Sequence, residues 1–223
     1  MRRCKTVSEK IGGGIVEIAK SIDKYRYVTY AFFKWRYELA LAQKLALALG
    51  FACLTGLAAQ IRIHLPFTPI PITGQVFVVL LSGVILGRWY GGLSQAFYVG
   101  LGTAGIPWFA GSCSGISVMT GVTGGYLIGF VLAAIVIGWF VDNFIKFRTF
   151  TRMLLLMLLG VTIIYALGAL QVSLILGTNF KETIHLAILP FILVDLLKAT
   201  LAALIGSALA PKRSYNGEID ANS

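Results

Sequence analysis

Leu189-Pro190-Phe191-Ile192-Leu193-Val194-Asp195-Leu196-Leu197-Lys198-Ala199 places a carboxylate and an ammonium inside an otherwise apolar run. A lone charge near the middle of a bilayer is penalised by roughly 2.5 kcal/mol or more, so ionisable residues there face a protein interior or a watery cavity and have partners. Asp195 and Lys198 are spaced i,i+3, on one face of a helix and close enough to pair. One reading is a structural pair that holds two helices in register. The other is a ligand site, in which the carboxylate accepts and the ammonium donates to a polar group carrying both N–H and C=O.

The rest of the chain has the same apolar character. Of its 223 residues, 57% are hydrophobic and 13% charged, against roughly 45–50% and 25% in soluble domains. An all-α integral membrane protein is expected. Lys and Arg number 19 against 9 acids, for a net charge of +10. The basic residues sit at the ends of apolar runs and not on one folded face, which points to topology and away from nucleic acid. Cys4, Cys53 and Cys113 have no CxxC or Cys/His spacing, so neither a metal site nor a disulfide framework is signalled, and free thiols are expected.

Apolar segments at 39–61, 72–87, 91–107, 117–141, 153–176 and 185–210 predict six transmembrane helices, the longer ones meeting the requirement of about 20 residues. The second and third are short and separated only by Arg88-Trp89-Tyr90, as in a bent hairpin with a tight cytoplasmic turn. With the N-terminus inside, fifteen basic residues fall on the inner side and only Arg62 and Lys181 on the outer. Both termini are therefore expected in the cytoplasm. Lys44 lies near enough to the inner end of the first span to snorkel.

Residues 1–38 hold nine of the basic residues, too many for a cleaved signal peptide, and read as a retained basic extension. In it Ile11, Ile15, Ile18 and Ile22 recur at helical spacing, followed by aromatics from Tyr25 to Tyr37 interleaved with Lys and Arg, as expected at the headgroup level of an anionic leaflet. The expected division is extension 1–38, membrane domain 39–210 and a short polar cytoplasmic tail 211–223.

Three outer loops, 66–75, 106–115 and 177–180, are placed to form a lid over a pocket. Prolines 66, 69 and 71 stiffen the first, and glycines in the second let backbone N–H groups approach a ligand. Gly83, Gly87 and Gly91 repeat every four residues, as close packing inside the bundle requires. The first span carries two such stripes, Ala42-Ala46-Gly50 and Ala48-Ala52-Gly56, either of which can face a partner subunit. Thr120 to Phe130 opens the fourth span from the outer side, its glycines allowing a broken or a tightly packed helix start and Tyr126 offering a ring and a hydroxyl.

With Ala59-Gln60-Ile61, Pro66 to Gln75, Gly105-Ile106-Pro107-Trp108-Phe109-Ala110-Gly111, Thr123 to Phe130 and Asp195-Leu196-Leu197-Lys198-Ala199 in this order, the chain resembles the BioY family. These are the biotin-binding S components of energy-coupling-factor (ECF) vitamin transporters. The resemblance implies a six-helix bundle with both termini inside, in the cell membrane of a prokaryote, and a pocket near the outer face closed by the loop after span one. It implies that Asp195 and Lys198 contact the ureido ring, with Gln75, Thr123, Tyr126, Gly111, Ser112 and Ser114 completing the site. It also implies that the small-residue face of span one docks on a transmembrane coupling protein that works with two ATPases. Where that family usually has Pro-Gly before the Asp, this chain has Leu193-Val194; where some relatives carry an Arg after Gly-Gly-Tyr and an Asn in the glycine loop, it has Leu127 and Cys113. Arg62 or backbone N–H groups are left as candidates for the biotin carboxylate.

No Walker motif, metal-ligand cluster or nucleophile with an adjacent base occurs, so no enzyme activity and no cofactor is expected, and energy for uptake must come from another chain. Three rival readings stand beside this one: the same architecture serving another vitamin, thiamine or a lipoyl-like compound; a solitary biotin facilitator; and an intramembrane enzyme using Asp195 with His185. In a straight helix those two lie about 15 Å apart, too far for direct proton exchange. His64 and His185 otherwise read as interfacial residues near the outer surface.

Overall fold

A computed structural model describes residues 20, 22–214 and 217–220. Ile11, Ile15 and Ile18 of the amphipathic repeat lie outside the described residues, as does Cys4. Helix α1 runs through 22–38; α2 is Leu41–Gln60, α3 Gln75–Thr103, α4 Ile116–Thr120, α5 Gly124–Asn143, α6 Phe150–Leu176, α7 Phe180–Ala187 and α8 Ile192–Leu209. Five of them, α2, α3, α5, α6 and α8, are long and apolar enough to cross a membrane. A two-stranded antiparallel ribbon, β1 (Arg62–Ile63) with β2 (Ile72–Thr73), interrupts the all-helical plan between α2 and α3.

The second and third predicted spans are the two arms of α3. The chain reverses at Gly87, with φ 78° and ψ −174°, a region that only glycine occupies without strain. Beyond it the arms lie side by side: Gln95 Nε2 donates to Ser82 Oγ at 3.1 Å and Gln75 Nε2 to Tyr98 Oη at 2.8 Å, contacts that a straight helix forbids at separations of 13 and 23 residues. The turn sits one residue before the predicted Arg88-Trp89-Tyr90, which is helical. Gly83, Gly87 and Gly91 therefore do not form one stripe. Gly91 faces Gly83 across the bend, and Gly83 abuts Ala134 and Ile137 of α5.

The α3 hairpin packs against α2, α5 and α8, while α6 packs against α5 and α8. The first span's two stripes separate accordingly. Ala48, Ala52 and Gly56 are buried, Gly56 against Trp108, so the chain's own packing uses them and they are not available to a partner. Ala42, Ala46 and Gly50 are exposed, with nothing close to a side chain at Gly50.

Two predicted spans start with separate short helices. The fourth breaks at Gly121–Thr123, between α4 and α5, where Gln171 of α6 donates to the Met119 and Gly121 carbonyls at 2.7 and 2.6 Å. The sixth is divided at 188–191, next to Pro190, which supplies no N–H to continue the ladder. Asn179 caps the first piece, accepting from the Glu182 N–H at 3.0 Å while Glu182 returns a bond to the Asn179 N–H.

The described residues toward both ends are tied to the bundle. Arg36 of α1 is buried, donating to the Ile85 carbonyl at 2.8 Å and to Asp142 Oδ1 at 3.0 Å, while Asp142 Oδ2 accepts from the Arg88 N–H at 2.8 Å. This ties α1 to the α3 bend and to α5. Lys44 donates to the Tyr37 carbonyl at 2.7 Å and lies over the Tyr37 and Tyr90 rings. In the tail, Glu218 pairs with Arg148 at 2.7 Å, both side chains fully buried, and the Asp220 carboxylate accepts from the Ile145 and Lys146 N–H groups.

Candidate functional site

A cavity of about 390 Å³ lies under the β-ribbon, between α3, α5, α6 and α8. Helix α8 begins at Ile192, so Asp195 falls in its first turn, where the helix dipole favours a carboxylate. Asp195 is 4% exposed. Its Oδ1 accepts from Lys198 Nζ at 2.6 Å and its Oδ2 from the Tyr165 hydroxyl at 2.7 Å. Lys198 Nζ also donates to the Thr73 carbonyl of β2 at 2.6 Å. The pair thus joins α8 to the ribbon that roofs the cavity and to α6.

Tyr126 comes from the first turn of α5, reached through Thr123. Gly125 and Gly129 let α5 approach α6 so closely that a side chain at either would strike the Leu167 carbonyl or Ile164. Gly168 leaves room for the Tyr126 ring, and the Tyr126 hydroxyl donates to the Ala187 carbonyl at 2.7 Å. Gln75 Oε1 accepts from the Thr73 hydroxyl at 2.9 Å. The floor is apolar, formed by Val122, Leu127, Phe130, Ile164 and Phe191.

Of the residues singled out from sequence, Asp195, Lys198, Tyr126, Gln75 and Thr123 line the cavity. Gly111, Ser112 and Ser114 do not; their loop reaches it through Ala110 and Cys113 instead. Gly111, at φ 85°, lies against the Arg62 guanidinium, and the Ser112 N–H donates to Gln60 Oε1 at 3.1 Å. Gln60 Nε2 in turn donates to the Trp108 and Phe109 carbonyls, so this loop's backbone is committed to holding its own shape. The third predicted lid loop, 177–180, does not line the cavity. Arg62 and His64 do, at the ribbon side; His185 is exposed on α7 and does not, which separates it from Asp195.

Sequence reasoning missed Tyr165, Tyr98 and Phe191. Tyr165 carried a signal, a lone phenol in the middle of the apolar run 153–176. Tyr98 has none: it is completely buried, tilted against the Trp108 ring and edge-on to Phe109, and it accepts from Gln75 Nε2, a partner that only the hairpin brings to it.

The sequence profile of the BioY family matches residues 29–215. The chain belongs to the BioY family. A protein of that family from Methanothermobacter thermautotrophicus, described as a probable biotin transporter BioY, is 48% identical over 147 residues, covering 63% of this chain and 94% of its own length. The biotin transporter BioY of Thermotoga maritima is 42% identical over 147 residues, 66% of this chain and 85% of that protein. Among solved structures, the S-component for biotin from an ECF-type ABC transporter superposes with a TM-score of 0.70 at 25% identity, covering 77% of this chain and 94% of that one. The BioY match begins inside α1, within the stretch that composition assigned to the extension, and the burial of Arg36 and Phe33 is the physical counterpart.

Proposed function

We propose that this chain is the S component that captures biotin from the outer face of the cell membrane for uptake. What carries the reading is the unused hydrogen-bonding capacity around Asp195. A carboxylate offers about four acceptor positions, and Lys198 and Tyr165 use two; an ammonium offers three donors, and Asp195 and Thr73 use two. Two acceptor positions and one donor remain beside an apolar cavity. A ureido ring, with two N–H groups and one carbonyl, matches that remainder, and the apolar floor suits a thiophane ring and a valeryl chain. The volume lies within the roughly 300–1,000 Å³ of small-molecule sites. Arg62 is the cation at the cavity mouth for the valerate carboxylate.

In this reading the chain crosses the membrane six times, counting the α3 arms separately, with both termini cytoplasmic as the basic residues require. The exposed Ala42-Ala46-Gly50 face of α2 docks on a transmembrane coupling protein, and two ATPases energise release inward. The names and structure of the relatives support this assignment. The test is equilibrium binding of labelled biotin to the purified chain in competition with thiamine and lipoate. Displacement by unlabelled biotin alone is expected; equal displacement by either rival would overturn the specificity.

A further inference from the structure

A second cavity, of about 470 Å³, lies between α1 and the end of α8, on the opposite side of the bundle from the ribbon in the proposed topology. It is open, and Arg26, Lys212 and Arg213 all line it. None of the three forms an ion pair among the described residues. The framework is nevertheless fixed. The Tyr25 hydroxyl donates to the Ala208 carbonyl, and Arg148 Nη1 donates to the carbonyls of Pro211 and Arg213.

Lys212 and Arg213 complement the negative end of α8, but Arg26 comes from another helix and has no such role. The three cations, brought by two elements to the rim of one cavity, make it complementary to an anion. The remaining walls say which kind. Ile22, Tyr25, Ala208 and Pro211 supply apolar surface beside the charges, and α1 exposes Tyr27, Trp35 and Tyr37, the residues that settle at a membrane interface. We propose that this cavity holds the phosphate headgroup of an anionic phospholipid, with its acyl chains against the apolar wall. The inference rests on the membrane topology proposed above and not on biotin as the cargo.

The full chain, purified in detergent, is mixed with equal phosphatidylglycerol and phosphatidylcholine, and retained lipid is read by native mass spectrometry. Wild type is expected to keep phosphatidylglycerol preferentially. Each cation near an anionic surface is worth roughly fivefold, so R26Q/K212Q/R213Q should weaken that retention on the order of a hundredfold. The charge-matched control K24Q/K146Q/R152Q should retain it. Should the triple variant fail to fold, R26Q alone, on an exposed helix surface, must still show the roughly fivefold loss. Equal retention of the two lipids by wild type, the same loss in the control, or displacement of the lipid by inorganic phosphate at comparable concentration would overturn the proposal. Biotin binding measured in parallel should not change in the triple variant, and a wild type that binds no biotin would leave the lipid result standing.

Discussion

Asp195→Ala separates the binding role of the buried pair from its structural one. In the binding mode proposed above the variant forfeits two N–H bonds to a carboxylate, each worth about 1.5–3 kcal/mol, so even the lower figure for both predicts a biotin Kd raised at least ~10²-fold. The same change strands the Lys198 ammonium, whose side chain is 14% exposed, with the Thr73 carbonyl as its remaining bond partner, and removes the acceptor of Tyr165. Breaking a buried ion pair by deleting one partner destabilises by about 3–5 kcal/mol, and the residual exposure puts this one near the lower end. The double variant D195A/K198M removes both charges, so thermal stability should return towards wild type while affinity stays lost. Isothermal titration with biotin and thermal unfolding of the three proteins decide the matter. A folded D195A protein whose Kd stays within about threefold of wild type would refute the ligand role, and a double variant that regains affinity would refute the hydrogen-bond account.

Arg62→Gln should weaken biotin about fivefold, a modest effect because the side chain is partly solvated, and leave the affinity for biotin amide unchanged; an equal loss for both ligands excludes a carboxylate contact. Gly87→Ala places a methyl 2.4 Å from Asp142 Oδ2 at a φ of 78°, so unfolding experiments should show a loss of roughly 2–4 kcal/mol, and a change below about half a kcal/mol would mean that the hairpin bend tolerates a side chain. Burial pushes the Glu218 carboxyl up, but hydrogen bonds from Ser214, its own backbone and Arg148, together with the Arg148 charge, outweigh it and hold it below the usual carboxylate range. The unfolded chain then binds the proton more readily, so stability is complete above the ordinary carboxylate pKa and falls as pH drops through the lowered folded value. Amide protection factors at 211–214 and 217–220, corrected for the intrinsic pH dependence of exchange, should therefore fall on acidification and change little with pH in Glu218→Gln; wild-type protection that does not change with pH contradicts the pairing.

The membrane class, the buried Asp195–Lys198 pair, the hairpin tendency of the second and third segments and the broken start of α5 were legible in the sequence. Each leaves a local trace: a charge in an apolar run, segments too short to span alone, and adjacent glycines ahead of a tyrosine. The i,i+3 spacing alone puts the two charges in reach of each other, because helix geometry is set within one turn. Tertiary structure decided everything that depends on which neighbour lies across a helix. Ala42-Ala46-Gly50 and Ala48-Ala52-Gly56 have the same pattern, yet packing of α2 on the α3 hairpin buries one stripe and leaves the other exposed. Arg148, legible only as a topology charge, is a completely buried hub for the tail. Tyr165 reaches Asp195 across 30 positions of sequence, and the Ser112 loop turns its backbone to Gln60 and away from the cavity. Such contacts have no periodicity to announce them, since their partners are chosen by how the helices assemble.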